Sequence, residues 1–110
     1  LVRSRGLGDV YKRQGHACVL TEVGGRIDGE SVMIKTWTCI SHEKAIELCG
    51  IHATAYQTAM PVVVVTEMIA RGEIRNVGVK PPEIIDPVGF CNHLQEKEIL
   101  IREEILRLND

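Results

Sequence analysis

The sequence predicts an α+β fold, an antiparallel hairpin followed by helices, on three observations. A β-rich run from Ala17 to Val23 and an alternating run from Val32 to Ile40 flank the pair Asp28-Gly29. Downstream, a span of roughly 13 residues carries helix start and stop residues at its two ends. The composition, 45% hydrophobic and 25% charged over 110 residues, is that of one folded globular domain.

In the second run Val32, Ile34, Thr36 and Thr38 alternate with Met33, Lys35, Trp37 and Cys39, a period of two that gives a strand one buried face. Asp28 and Gly29 tolerate the positive φ that a tight hairpin turn requires. Ser41 then caps a short helix whose apolar side is Ala45, Ile46 and Leu48 and whose stop is Gly50. Lys44 stands where a capping box would have Glu, so that box is absent. Residues 58–72 pit a strand-favouring tract, Val62 to Val65, against helical flanks. Thr58 as N-cap, Pro61 in the first turn, Glu67 and Arg71 four apart and Gly72 as stop decide for a helix, with the valines against a neighbouring sheet. Pro81-Pro82 removes two amide donors and makes 78–83 irregular. Asp86-Pro87 starts a short helix through Phe90 and Leu94. Ile99 to Ile101 is expected as a last strand and Arg102 to Asp110 as a frayed tail.

Several function classes drop out on charge and length of apolar runs. The net charge of −2 includes no basic stripe of the kind nucleic-acid binders carry. The apolar run Met60 to Val65 is about a third of the ~20 residues a membrane helix needs. No signal-peptide pattern stands at the N-terminus, and a cytoplasmic setting is expected.

Residues 1–14 differ in character from the rest. They carry a charge of +3, leaving −5 on residues 15–110. Gly6-Leu7-Gly8 lacks the preceding strand, third glycine and following helix of a phosphate-binding loop. The stretch Ser4-Arg5-Gly6-Leu7-Gly8-Asp9-Val10-Tyr11-Lys12-Arg13-Gln14 resembles a translated transposon adapter from DNA-library preparation. Residues 1–14 are therefore read as non-native, and 15–110 as part of a longer gene product.

Each histidine has a cysteine nearby: His16 with Cys18, His42 with Cys39, His52 with Cys49, His93 with Cys91. Zinc sites need converging ligand pairs, and neither CxxC nor HxxxH occurs, so no metal site is expected. Nothing signals secretion, so the four cysteines are expected as reduced, buried thiols without an activating base.

Thr54-Ala55-Tyr56-Gln57-Thr58 is the densest cluster of neutral hydrogen-bonding side chains. Two readings fit it: helix capping with a buried tyrosine bonded to backbone, or a polar-ligand site at a helix start. No carboxylate pair or Ser-His-Asp set stands elsewhere.

At this cluster the chain resembles the C-terminal end of the saccharopine dehydrogenase family. That family has a Thr-Ala-Tyr-x-Thr-Gly-x-Pro stretch opening a helix, then a glycine-ended turn and Gly-Val-x-Pro-Pro-Glu. The corresponding residues here are Thr54 to Pro61, Arg71-Gly72-Glu73-Ile74 and Gly78-Val79-Lys80-Pro81-Pro82-Glu83. Phe90 and Leu94 resemble the family's terminal Phe-x-x-x-Leu helix, and the hairpin from Glu22 through Asp28-Gly29 also resembles its pattern. Roughly residues 18–102 are covered. Ala59 departs from the family's glycine, and its methyl group would narrow a backbone approach there.

The resemblance implies the C-terminal part of a Rossmann-containing two-domain oxidoreductase. An N-terminal Rossmann domain would bind NAD or NADP, and the present α+β part would supply a substrate cleft and a homodimer interface. The reaction class is hydride transfer between nicotinamide and a secondary amine joining an amino acid to a keto acid, as in lysine metabolism. Thr54, Tyr56 and Thr58 would lie at the cofactor–substrate junction. Residues 15–110 contain no glycine-rich βαβ unit and would neither bind a dinucleotide nor catalyse alone. Exposure of the surface that packs on the missing domain predicts poor solubility or dimerisation. A non-catalytic assembly module pairing through its hairpin is the competing reading from sequence, and a small zinc-stabilised domain is a third.

Overall fold

The computed structural model describes residues 15–108; the adapter-like segment 1–14 lies outside the described residues, as do Asn109 and Asp110. The fold is α+β, a three-stranded antiparallel sheet with helices gathered at one end. Strands β1 (His16–Ile27) and β2 (Glu30–Ser41) form the hairpin, with Asp28 and Gly29 alone in its loop at φ of 52° and 84°. Both positive angles belong to a two-residue type I′ turn, which matches the twist of the strands it joins. That turn sets the register, from Ile27 opposite Glu30 to His16 opposite Ser41. The backbone amide of His42 donates to the Gly15 carbonyl (3.1 Å) and closes the far end.

Helix α1 (His42–Cys49) follows β2 without a loop. Ser41 Oγ accepts from the Lys44 amide at 3.0 Å, and Gly50, in the left-handed region at φ 74°, ends the helix with its amide on the Ile46 carbonyl. Helix α2 (Ala53–Ala70) packs against the sheet end and stops where the Glu73 amide bonds back to the Met68 carbonyl, past Gly72 at φ 76°. A single 3-10 turn (Pro82–Ile84) interrupts the irregular proline segment. Helix α3 (Pro87–Glu96) begins with Pro87 in its first turn, capped by Asp86 Oδ2 on the Gly89 amide at 3.0 Å. Strand β3 (Ile101–Arg107) then returns to pair with β2, giving the order β1-β2-β3.

The core joins the Ile40 end of the sheet to the helices: Ile40, Ala45, Ala53, Tyr56, Val64, Met68, Leu94 and Ile99 are all buried. Among the described residues no buried side chain is charged. None of the described helices is by itself long and apolar enough to cross a membrane.

Several expectations are corrected. The long helix starts at Ala53, not at Thr58, because Ala53 and Tyr56 are buried and draw the preceding turn into the core. Pro61 therefore falls inside the helix, where it leaves the Gln57 carbonyl without its helical donor. Of the valine tract, Val64 alone is fully buried, while Val62 and Val63 face outward, as helical geometry requires of four consecutive residues. The tail is a strand as far as Arg107, with Ile101 opposite Thr38 and Ile105 opposite Ile34. Finally, no cysteine is buried: Cys18, Cys39 and Cys49 are exposed and Cys91 is half-buried. Cys18 and Cys39 are not separate thiols either, since they are direct partners across the hairpin, joined as a disulfide with Cα atoms 4.1 Å apart.

Candidate functional site

The opening turns of α2 hold the polar cluster that the sequence singled out. His52 is the N-cap residue, but its side chain makes no capping bond. The cap comes instead from α1: His42 Nδ1 accepts from the Ala53 amide at 3.0 Å. An imidazole nitrogen that accepts carries no proton, so this bond requires a neutral His42 with the proton on Nε2. The rings of His42 and His52 meet edge to face, centroids 5.9 Å apart.

Three successive even-numbered positions on a helix do not share a face, and Thr54, Tyr56 and Thr58 divide accordingly. Tyr56 points into the core, 4% exposed, and its hydroxyl donates to the Lys97 carbonyl at 2.6 Å. Burial, and then the nearby Cys49 thiol, hold its phenol above the ordinary value and keep it a donor. Its bond ties α2 to the end of α3. Thr54 and Thr58 are both exposed, four residues apart on one flank, and Thr58 Oγ1 donates to the Thr54 carbonyl at 2.8 Å. Beside them lie His52, Ala55, Ala59, Val62 and Val63, which make a shallow apolar shelf. Gln57 turns the other way, its Nε2 donating to the Ala17 carbonyl on β1 at 3.0 Å.

A second concavity lies along the same helix. Pro61, Val65 and Ile69 of α2 face Ile85 and Phe90, with the proline segment as rim, around a groove of about 750 Å³. Val62 and Ile69, 67% and 56% exposed, edge this groove and leave α2 with an apolar flank that nothing among the described residues covers.

A charged clasp, invisible to pattern reading, joins the end of α2 to α3. His93 Nε2 lies 2.8 Å from Glu73 Oε2, and its Nδ1 lies 3.4 Å from both Glu96 Oε2 and Arg71 Nη1. The bond to Glu73 and then that to Glu96 raise the His93 pKa above its ordinary value. Lys97 Nζ lies 2.8 Å from Glu67 Oε1, a bond that lowers the Glu67 pKa, and Arg71 lies 3.9 Å from Glu67. Glu96 falls three residues after His93, a spacing that could have suggested the pair; Glu73 is brought in only by the turn after α2. Among the described residues no group of three or more His, Cys, Asp or Glu side chains is placed to hold a metal ion.

Comparison with family models and with curated protein sequences finds no match to this chain.

Proposed function

We propose that the chain is the C-terminal portion of a saccharopine dehydrogenase-like, NAD(P)-dependent oxidoreductase acting on a secondary-amine conjugate of an amino acid in lysine-type metabolism. One observation carries the reading furthest. The Thr54–Pro61 stretch lies in the first half of an 18-residue helix that follows the hairpin and the short α1, and that helix keeps an apolar flank that no described residue covers. An uncovered flank of this size is what a domain presents to a neighbour within a larger chain. The neighbour in this reading is an N-terminal Rossmann domain, and a second subunit completes a homodimer.

Two hydroxyls on an apolar shelf suit an edge contact with a dinucleotide gripped elsewhere, not a site that grips one by itself. The cofactor would supply the hydride. Thr54 and Thr58 would offer hydrogen bonds at the cofactor–substrate junction, and Ala59 beside them would limit how closely the backbone approaches it. Tyr56, whose hydroxyl is engaged by Lys97, would act as a positioning residue that fixes the angle of α2.

The test is alanine substitution of Thr54 and Thr58 in the full-length enzyme, with NAD(P) affinity and kcat/KM as readouts. Loss of one neutral hydrogen bond at each position lowers one or both by about fivefold to tenfold. Unchanged catalysis and unchanged affinity in both variants would remove these residues from the junction. The reading frame upstream of Gly15 offers a second check: a strand, GxGxxG and helix support the enzyme, and a stop codon ends the idea.

A further inference from the structure

We propose that Cys18 and Cys39 form a reversible thiol–disulfide modification site whose co-reactant is a low-molecular-weight disulfide of the glutathione class. The two cysteines are direct partners in the β1–β2 register. Their Cα separation of 4.1 Å marks a narrow, non-hydrogen-bonded pair, the position at which facing side chains come closest. Twelve paired positions, from His16–Ser41 to Ile27–Glu30, hold the two sulfurs opposite each other whether or not a bond joins them. Closure is then intramolecular, at a high effective concentration. Both residues are exposed, so an external disulfide can reach the thiols and an external thiol can reach the bond.

The chemistry balances with that one co-reactant. The thiolate of either cysteine attacks one sulfur of the external disulfide, forms a mixed disulfide and releases one small thiol. The facing thiolate then attacks the protein sulfur of the mixed disulfide, forms the Cys18–Cys39 bond and expels the second small thiol. Two protein S–H groups are oxidised as one external S–S bond is reduced. The other cysteines lack this arrangement. Cys49 ends α1 without a facing thiol, and burial, then Asp86, raises the Cys91 pKa and starves it of thiolate. Closure fastens edge strand β1 to β2 beside Ala17, where Gln57 of α2 already holds it.

The test uses the 110-residue chain, reduced and then treated with glutathione disulfide, quenched in acid and mapped by peptide mass. The expected product has lost one hydrogen from each of Cys18 and Cys39, retains no glutathione on either, and regains both thiols with dithiothreitol. Cys39→Ser should instead keep glutathione on Cys18. A register control, Cys18→Ser with Leu20→Cys, moves one thiol to a diagonal position about 7–8 Å away and should carry adducts without closure. Repeating the wild-type reaction in unfolding urea, which needs no variant to fold, should lower the ratio of closed bond to adduct by about tenfold or more. Stable adducts on both Cys18 and Cys39 of the folded chain would overturn the proposal. Equal closure in urea or in the register control would overturn it too.

Discussion

The two ends of the sheet share the same strands and the same ladder, yet they differ in what covers them. At the Ile40 end, α1, α2 and α3 close over the face that carries Ala17, Ile40 and Ile101. Toward the turn, the same face carries Val19, Val23 and Ile105, each more than half exposed. Backbone pairing is satisfied at both ends, so the difference isolates side-chain burial. One end is held by helix packing plus hydrogen bonds; toward the turn Val32 alone of this face is buried, and the rest of that end relies on hydrogen bonds and cross-strand pairs such as Glu22–Lys35 at 3.3 Å.

The sharpest way to test the contrast is a cavity at the covered end. Met68 is buried on the inner face of α2. Met68→Ala should cost about 2–5 kcal/mol, read as a lower urea midpoint with an unchanged slope. A loss under about 1 kcal/mol would mean that the helices do not grip the sheet as tightly as the burial implies. Next in size is Tyr56→Phe, which deletes the bond to the Lys97 carbonyl while keeping the ring. About 1 kcal/mol is expected, with unchanged far-ultraviolet circular dichroism. No loss at all would leave the ring, and not the hydroxyl, as the tie between α2 and α3.

How much of this contrast the sequence discloses follows from the range of each interaction. Local devices are legible: the Asp28-Gly29 turn, the Ser41 and Asp86 caps and the Gly50 stop each act within a few residues and appear where they were expected. The Cys18–Cys39 pair was also within reach, since equal steps outward from a two-residue turn bring those positions opposite each other. Strand β3 was not. Its sequence, Ile101-Arg102-Glu103-Glu104-Ile105-Leu106, repeats its apolar residues at helical spacing, and only pairing with β2 makes it a strand. The start of α2 was hidden for a related reason. His42 supplies the cap from eleven residues away, so the N-terminal signal of the helix is not in the helix. In the candidate site, the cluster was legible as residue types, but the inward turn of Tyr56 depends on Lys97 and the core.

A smaller effect is expected from the clasp at the α2–α3 junction. The His93 pKa is raised in the folded chain, so its contribution is complete below the ordinary imidazole value and is lost as pH rises through the folded value. Glu67 runs the other way. Its lowered pKa gives a contribution present above the ordinary carboxylate value and lost as pH falls through the folded one. Glu73→Gln should flatten the decline of stability on the neutral side without altering the acid side, followed as the urea midpoint against pH. An unchanged profile would place the clasp among surface ion pairs that contribute nothing measurable.

The smallest effect should come from the bare end, and it bears most directly on the comparison. Val23 is 58% exposed, toward the turn on the face whose other end the helices cover. Thr has nearly the same shape and also favours strands, so Val23→Thr changes little beyond one methyl's exposure to water. The expected change in stability is within about 0.5 kcal/mol. Measuring the midpoint at a low and a high protein concentration makes the result decisive. A small, concentration-independent change means the face is bare in solution. A cost above about 1 kcal/mol at both concentrations would mean that the chain's own residues cover it. A cost that appears only at high concentration would mean that a second copy does, because association stabilises by mass action and its loss scales with the partner present.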